Sequence, residues 1–589
     1  MTLTTAEIRP PSQRDRDDDR DNKRDQRRGP RPGLIPMTLI CLLVAGLVLP
    51  ALYSVLVRSF TGTTVLGTPG ATTLDNYRHL FTQHGLVTVL RNTLISTAGA
   101  TAVSVVVGGL LAWIVERTNA PGATLCRVTM LLALSLPYIL YTIAWIMLLG
   151  PKGPVNGLAH KLFGISQLLN AHSLGAMILV EGLISVPLAF LFLSAVLRTV
   201  DASLEESAAV SGASMFRILM RVTGPLTLPG IVGVGLLIFI RTLEAFEIPA
   251  LIGLPGNVRV MTTSIFLDTE GFPPDYGSAG AYAVLLMIGV AGLLYVSAKI
   301  NKGAAAYASI SGKPTRSRKV DLGVRKWLGT AAIAVYGIVG LAAPIIIVLW
   351  ASLVPFYSSP NFAQLKHLTL ANYRQIFGLQ GFGSSVAHTV IVGLVAAIAV
   401  TAISSIGIWL QTRIKVPGGW IFEQAATLPL MIPGVILGFS LVAFYVSVPL
   451  PIYGTLLILM LGYTVRFLPY GVRYAATGML QIHGSLEESA AVSGAGRWTT
   501  FRRVILPLAR PSLVSGAIFI FLMTSKELSM AVLLASPGHE VLSVQMYDLW
   551  SNGQTTQVAT IGVLWAGALL IVMGFLIAFN ARRGRSLEF

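Results

Sequence analysis

Charge is what this chain has least of. Only 12% of its 589 residues are Asp, Glu, Lys or Arg, against 54% hydrophobic, where a soluble domain carries about 25% charged residues. That balance excludes an ordinary soluble protein and puts the chain in a membrane. Cysteine is nearly absent. Cys41 and Cys126 both sit in or beside apolar runs, so neither a disulfide framework nor a thiolate metal cage can be argued, and both read as small buried side chains. No G-x4-G-K-[ST] phosphate loop occurs, since Gly312-Lys313-Pro314 has neither the spacing nor the hydroxyl. No H-E-x-x-H occurs either, and no nucleophile with base and orienting group can be assembled on one face, which argues against an enzyme. His79, His84, His160, His172 and His388 are scattered at run ends and read as polar surface groups. The formal charge is +17, yet no folded polar stretch is long enough to present it to nucleic acid. The positive excess reads as membrane topology, and no metal or cofactor site is expected in the chain.

Long apolar runs are what it has instead. A bilayer core needs about 20 mostly apolar residues per helix, and twelve stretches qualify: 34–58, 87–115, 122–150, 174–197, 229–253, 279–299, 327–354, 384–412, 420–448, 452–476, 512–535 and 558–580. Residues 1–33 mix both charges with Pro and Gly and are expected to be a disordered cytoplasmic tail. The following run is too long for a secretory signal and lacks an A-x-A-like cleavage site. Arg24, Arg27, Arg28 and Arg31 hold that end inside. Counting on, Arg117, Arg198, Arg217, Arg221, the basic stretch 302–326, Arg413, Lys415, Arg497, Arg502, Arg503, Arg510 and the tail Arg582, Arg583 and Arg585 fall on the cytoplasmic side, and the exterior loops are poorer in Lys and Arg. The expected fold is all-α: twelve transmembrane helices with both termini cytoplasmic, divided into a first half 34–301, a linker 302–326, a second half 327–580 and a tail 581–589.

The chain also repeats itself. Residues 205–229 read EESAAVSGASMFRILMRVTGPLTLP and residues 487–511 read EESAAVSGAGRWTTFRRVILPLARP, without a gap and 282 residues apart. Leu74-Asp75-Asn76-Tyr77-Arg78 recurs as Leu370-Ala371-Asn372-Tyr373-Arg374 at an offset of 296, which also lays Leu136-Pro137 on Ile432-Pro433. The first copy therefore holds extra residues, expected in the exterior loop 151–173. Six spans per copy is an even number, so the halves enter the membrane from the same side and form a parallel pseudo-two-fold repeat. Each polar segment opens with acids where a helix dipole favours them, Asp201 or Ser203 serving as cap in the first copy. Gly212 and Gly494 fall where that short helix ends or bends, and Pro225 with Pro229 marks where the chain turns back into the bilayer.

These twin segments resemble the EAA loop of binding-protein-dependent ABC importer permeases, E-A-A-x3-G-x9-I-x-L-P. The motif falls on Glu206, Ser207, Ala208, Gly212 and Val222 to Pro225, and again on Glu488, Ser489, Ala490, Gly494 and Val504 to Pro507, with Ser for the first Ala and Gly224 for Leu as departures. The resemblance implies helices that dock on two cytoplasmic ABC ATPase subunits. Glu205, Glu206, Ala208, Ala209 and Gly212, with Glu487, Glu488, Ala490, Ala491 and Gly494, would be the coupling residues. It further implies an extracytoplasmic substrate-binding protein, the cytoplasmic membrane of a prokaryote, alternating access between the halves, and ATP with Mg held by the ATPase partners. Trp498 beside Arg497, Arg502 and Arg503 makes the second segment more basic and aromatic than the first.

Ionisable residues inside spans cost roughly 2.5 to 3.5 kcal/mol each on insertion scales, so they face cavities or partners. Arg241, Glu244 and Glu247 in the fifth span and Lys526 and Glu527 in the eleventh are the candidate substrate pathway or gate. Under the 282 offset Glu244 coincides with Lys526, and the two are expected to meet near the axis; the plainer alternative is that Arg241 and Glu244 neutralise each other at i and i+3. The pattern KEL with LLxxPG, on Lys526 to Leu528 and Leu533 to Gly538, resembles the fused permeases of ferric-iron importers, as do AFEIPALIGLPG and the PPDYGSAGA of Pro273 to Ala281. Fused permeases for thiamine and aminophosphonates share much of it, so the resemblance points to ferric iron first and to those solutes next. On architecture alone the rival is an ATP-independent twelve-span secondary transporter. It would need no paired polar helices, and it would put a basic motif after the second span, where only Glu116-Arg117-Thr118-Asn119 stands.

Overall fold

Inside hydrocarbon a backbone must satisfy its own hydrogen bonds, so an apolar chain crosses as helix. The computed structural model of this protein is, among the described residues, helical almost throughout, with one short antiparallel strand pair, Thr61–Thr63 and Pro69–Thr72. It describes residues 33–63, 69–82, 85–151, 153–165, 167–199, 202–307 and 320–581. Nearly all of the expected N-terminal tail, the middle of the linker, residues 582–589 of the C-terminal tail, His84 and Asp201 lie outside the described residues. Among the described residues ten helices are long and apolar enough to cross a bilayer, and three bent pairs raise the candidates to as many as thirteen. The ten, with two of the pairs, fall on the twelve expected stretches.

Two expected spans are broken. In 122–150, Ala123–Ser135 meets the helix that starts at Tyr138 at 104°, and in 420–448, Gly419–Met431 meets Gly434–Tyr445 at the same 104°. Leu136 and Ile432 are extended, with ψ of 136° and 107°, because the residue before a proline is pushed out of the helical region. Pro137 and Pro433 lack the N–H that would carry the ladder on. The repeated Leu-Pro and Ile-Pro pairs are therefore the break points of one span in each half.

The fifth and eleventh spans are shifted toward the N-terminus. Expected at 229–253 and 512–535, they run Met220–Leu243 and Arg497–Ser525. Pro225 and Pro507 do not turn the chain: a π-turn just before each, Leu219–Thr223 and Phe501–Ile505, absorbs the missing hydrogen bond, and the helix runs on through Pro229 and Pro511. The third bent pair follows the fifth span, Pro249–Gly256 meeting Met261–Glu270 at 81°.

The extra residues of the first half lie between Leu149 and Leu174, where the second half has only a short turn between Tyr445 and Leu456. They form the helix Pro154–Phe163 and a loop pinned by buried Asn156, which donates to the Leu149 (2.8 Å) and Leu169 (3.2 Å) carbonyls and accepts from the Leu168 amide (2.9 Å).

The first span of each half packs into the other half. Leu34–Ser59 lies against Gly419–Thr427 and Gly434–Tyr445, and Ala343–Leu353 lies against Tyr138–Leu149. Ser54 donates to the Ser440 carbonyl at 2.7 Å and Tyr141 to the Gly340 carbonyl at 3.0 Å, one bond in each direction of the exchange. The repeated Asn-Tyr finishes these spans. Asn76 donates to the Ser59 and Thr61 carbonyls, both at 3.0 Å, and its counterpart Asn372 to the Ser352 (2.9 Å) and Val354 (2.8 Å) carbonyls. Helix C-termini leave carbonyls without partners, and a side-chain amide 15 to 20 residues downstream supplies the donor in both halves.

Candidate functional site

Each polar twin folds as a short helix, Ala202–Val210 and Ser485–Val492, closed by a glycine at φ 80° (Gly212) and 79° (Gly494). That left-handed backbone suits glycine, which has no Cβ to clash. The closing bonds match: the Ala213 amide reaches the Ala208 carbonyl at 3.0 Å, and the Ala495 amide reaches Ala490 at 2.9 Å. A second short helix, starting at Met215 or Arg497, then leads through the π-turn into the span.

Both segments are held in place the same way. Arg117 Nη1 lies 3.4 Å from Glu205 Oε2, and Arg413 Nη1 lies 3.1 Å from Glu487 Oε1. Arg117 also donates to the Leu197 carbonyl at 2.7 Å, and Arg413 to the carbonyls of Met479 and of Ile482, the latter at 2.6 Å. Leu197 and Met479 are equivalents under the 282 offset. The arginine at the end of each second span thus bridges the end of the fourth span and the polar helix. Sequence reasoning counted Arg117 and Arg413 only as topology charges, although their 296 spacing was a signal. Glu116 beside Arg117 takes Arg198 at 3.0 Å and Arg127 at 3.1 Å. The first glutamate of the second segment is turned inward, whereas Glu488 and Ala491 are exposed and Ala490 is half-buried. Val210 and Val492, again equivalents, are 90% and 91% exposed. The twins differ in their support. Thr223 donates to Glu205 at 2.7 Å in the first, while in the second Trp498 and Phe501 pack on Trp409 with ring centroids 6.1 and 4.6 Å away.

The second site lies where the fifth and eleventh spans end. Ser529 donates to Glu247 Oε1 at 3.1 Å, and these two positions are equivalents under the 282 offset. Positions exchanged by a two-fold touch only at its axis, so this bond marks the seam between the halves. Glu247 and Lys526 are buried here, as is Glu527. Arg241 donates to the Tyr138 hydroxyl at 3.1 Å, and Lys526 donates to the Leu134 carbonyl at 2.7 Å with its ammonium 5.6 Å from the Tyr138 ring centre. Two cations from different halves therefore bracket one tyrosine at the break of the third span. Glu527 accepts from the Met530 (2.9 Å) and Ala531 (3.2 Å) amides, capping the short turn Ala531–Leu534, and lies 3.7 Å from Arg466.

The expected Glu244–Lys526 ion pair does not form among the described residues. Glu244 sits in the fields of Arg466 and Arg241, and Lys526 in those of Arg241 and Glu247. The contact across the axis is instead made three residues further on, because the helices end at Leu243 and Ser525 and the turns that follow bring Glu247 and Ser529 together. Two members of this cluster escaped the sequence reading: Glu181 in the fourth span, near Glu247 and Arg241, and Arg466 in the tenth. Each is a charge inside an apolar run, Glu181 alone in the middle of its span and Arg466 with Arg473 further along its own, the same kind of signal that exposed the others. Among the described residues no three His, Cys, Asp or Glu side chains are grouped to hold a metal ion.

The family described as "Binding-protein-dependent transport system inner membrane component" matches residues 80–299 and 403–583, once in each half. The ferric transport system permease protein FbpB of Actinobacillus pleuropneumoniae is 24% identical over 84% of this chain and 71% of its own length. The Fe(3+)-transport system permease protein FbpB 2 of Haemophilus influenzae is 24% identical over 81% of this chain and 88% of its own. With that match falling once on each half, and with relatives aligned across both, the chain belongs to the binding-protein-dependent transport system inner membrane component family, as a fused two-half permease of an ABC importer.

Proposed function

We propose that this permease moves ferric iron across the cytoplasmic membrane of a bacterium, with both termini inside, and that its power comes from two cytoplasmic ATPase subunits docked on Ala202–Val210 and Ser485–Val492. The observation that carries the reading is the twinned arginine anchor. Evolving charges have no reason to hold two surface helices by equivalent ion pairs, 3.4 and 3.1 Å long, unless the position of those helices matters. Exposed Val210 and Val492 give each helix an apolar tip to bury in a partner, beside the outward Glu488 of the second helix.

In this mechanism ATP and Mg are bound by the ATPase partners, and their closure moves the two helices. Arg117 and Arg413 pass the movement to the second and fourth spans, and the seam at Glu247 and Ser529 opens. The ATPases shift the permease only by binding one of its states better than the other. A substrate-binding protein delivers the cargo from outside. Ferric iron is favoured by the two relatives named for it and by the seam, where the carboxylates Glu181, Glu244, Glu247 and Glu527 outnumber the cations Arg241, Arg466 and Lys526.

Co-purification from solubilised membranes tests the coupling: the ATPase is expected to stay with wild type and to be lost from Glu206→Lys plus Glu488→Lys. Transport by the purified chain without any ATPase would overturn the reading in favour of a secondary transporter. Uptake of radioactive ferric iron into vesicles, competed by thiamine and by 2-aminoethylphosphonate, tests the cargo. Uptake of labelled thiamine or 2-aminoethylphosphonate by the same vesicles, with no iron uptake, would reassign it.

A further inference from the structure

Beside the seam, wholly within the first half, is a small cavity lined by Ser96, Thr97, Met177, Glu181, Thr242, Ile248 and Pro249, with room for a single water-sized occupant. Glu181 is only 9% exposed, and among the described residues its carboxylate has no hydrogen-bond partner, nor has the Thr97 hydroxyl. The other two hydroxyls have spent their protons: Ser96 donates to the Thr93 carbonyl at 3.0 Å and Thr242 to the Phe239 carbonyl at 3.1 Å. What remains to this cavity is oxygen: the Glu181 carboxylate, the Thr97 hydroxyl with its own proton, and the lone pairs of Ser96 and of Thr242, whose hydroxyl also lies 3.4 Å from that of Thr101. A buried carboxylate without a partner is costly, and hydroxyl and carboxylate oxygens are hard donors.

We propose that this cavity binds one small monovalent cation, of which Na⁺ is the physiological example. The charge count selects the valence. One carboxylate neutralises one positive charge, whereas a divalent or trivalent ion would stay uncompensated and would be excluded by its desolvation cost. The charged groups facing Glu181 are Glu247 and Arg241, and both are already engaged, Glu247 with Ser529 and Arg241 with Tyr138. The cavity borders the seam through Glu181, and the proposal does not rest on iron being the cargo. The second half has no counterpart, since the position equivalent to Glu181 under the 282 offset is Tyr463, whose hydroxyl donates to the Glu527 carbonyl at 3.4 Å. A cation held here joins the second and fourth spans to Thr242 and to the Ile248–Pro249 segment behind Glu247. Occupancy would stiffen the first-half side of the seam.

The test uses the full chain in lipid nanodiscs, its thermal midpoint followed by tryptophan fluorescence while NaCl replaces choline chloride at constant ionic strength and pH. A saturable upward shift with Na⁺ is expected, absent in Glu181→Gln. In Thr97→Val, which keeps the carboxylate and removes one oxygen, the half-saturating Na⁺ concentration should rise about ten-fold. Equal midpoints in Na⁺ and choline overturn the proposal, as does a Na⁺ shift that survives in Glu181→Gln. A midpoint that follows pH and ignores Na⁺ also overturns it, with a proton or water as occupant. If Glu181→Gln does not fold, Thr97→Val decides alone, and an unchanged half-saturating concentration is fatal.

Discussion

Breaking the arginine anchors should cost unequal amounts in the two halves. At 3.4 Å and an effective dielectric of about 20, the attraction between Arg117 and Glu205 is roughly 5 kcal/mol. Arg117 is 2% exposed and Glu205 13%, so solvent screens the pair little, but burying the guanidinium takes back part of that sum. A coupling energy on the order of 2 to 3 kcal/mol remains. The Arg413–Glu487 pair is shorter, 3.1 Å, yet its partners are 16% and 23% exposed, and screening brings it to about 1 kcal/mol. The measurement is a double-mutant cycle in each half, Arg117→Met with Glu205→Gln and Arg413→Met with Glu487→Gln, read as unfolding midpoints of the purified chain. Because Arg117 also bonds the Leu197 carbonyl, only the cycle isolates the ion pair. A first-half coupling energy below about 0.5 kcal/mol, or one no larger than that of the second half, would show that burial does not set the strength of these anchors.

Val210→Asp with Val492→Asp should leave the unfolding midpoint unchanged, because both side chains are about nine-tenths exposed, while abolishing ATPase retention in a pull-down; retained ATPase would remove these valines from the docking face. Asn76→Ala should lower stability by about 2 kcal/mol, since it leaves the carbonyls of Ser59 and Thr61 unpaired at the end of the first span. A midpoint within error of wild type would mean those carbonyls find water. Gly280→Leu should reduce the folded, monodisperse fraction in fluorescence-detected gel filtration, because a Cβ there would stand 2.7 Å from the Ser59 amide nitrogen and 3.1 Å from the Arg58 carbonyl carbon. Backbone cannot yield as a side-chain tip can, and overpacking costs about 1 to 3 kcal/mol; a wild-type profile would place the clash elsewhere.

The linker shows a similar local logic where it is described. Val320 pairs with Thr118, and Asn119 binds both Asp321 and the Leu322 amide. The Gly323 amide and the Asn119 side chain hold the Asp321 carboxyl below its ordinary range. The Thr118-Asn119 turn, whose lack of a basic motif counted against a secondary transporter, is where the end of the linker is fastened to the first half.

Sequence alone determined what depends on length, composition and internal copying: a membrane protein of about twelve spans, its duplication, the twin polar segments and the kinship they carry. Apolar run length and residue spacing are properties of one dimension, so no contact map is needed to see them. Even the breaks at Pro137 and Pro433 were open to a stricter reading of what proline does to a helix. Tertiary structure alone decided which charges meet. Glu247 finds Ser529 at a separation of 282 residues, Ser54 finds Ser440 at 386, and Arg117 closes on Glu205 across a whole pair of spans. Periodicity tells a helix which face is apolar, but it holds no information on which neighbour that face will meet. A buried charge is paired only by the packing of elements far apart in the chain, and here that packing placed the seam, the anchors and the cavity at Glu181.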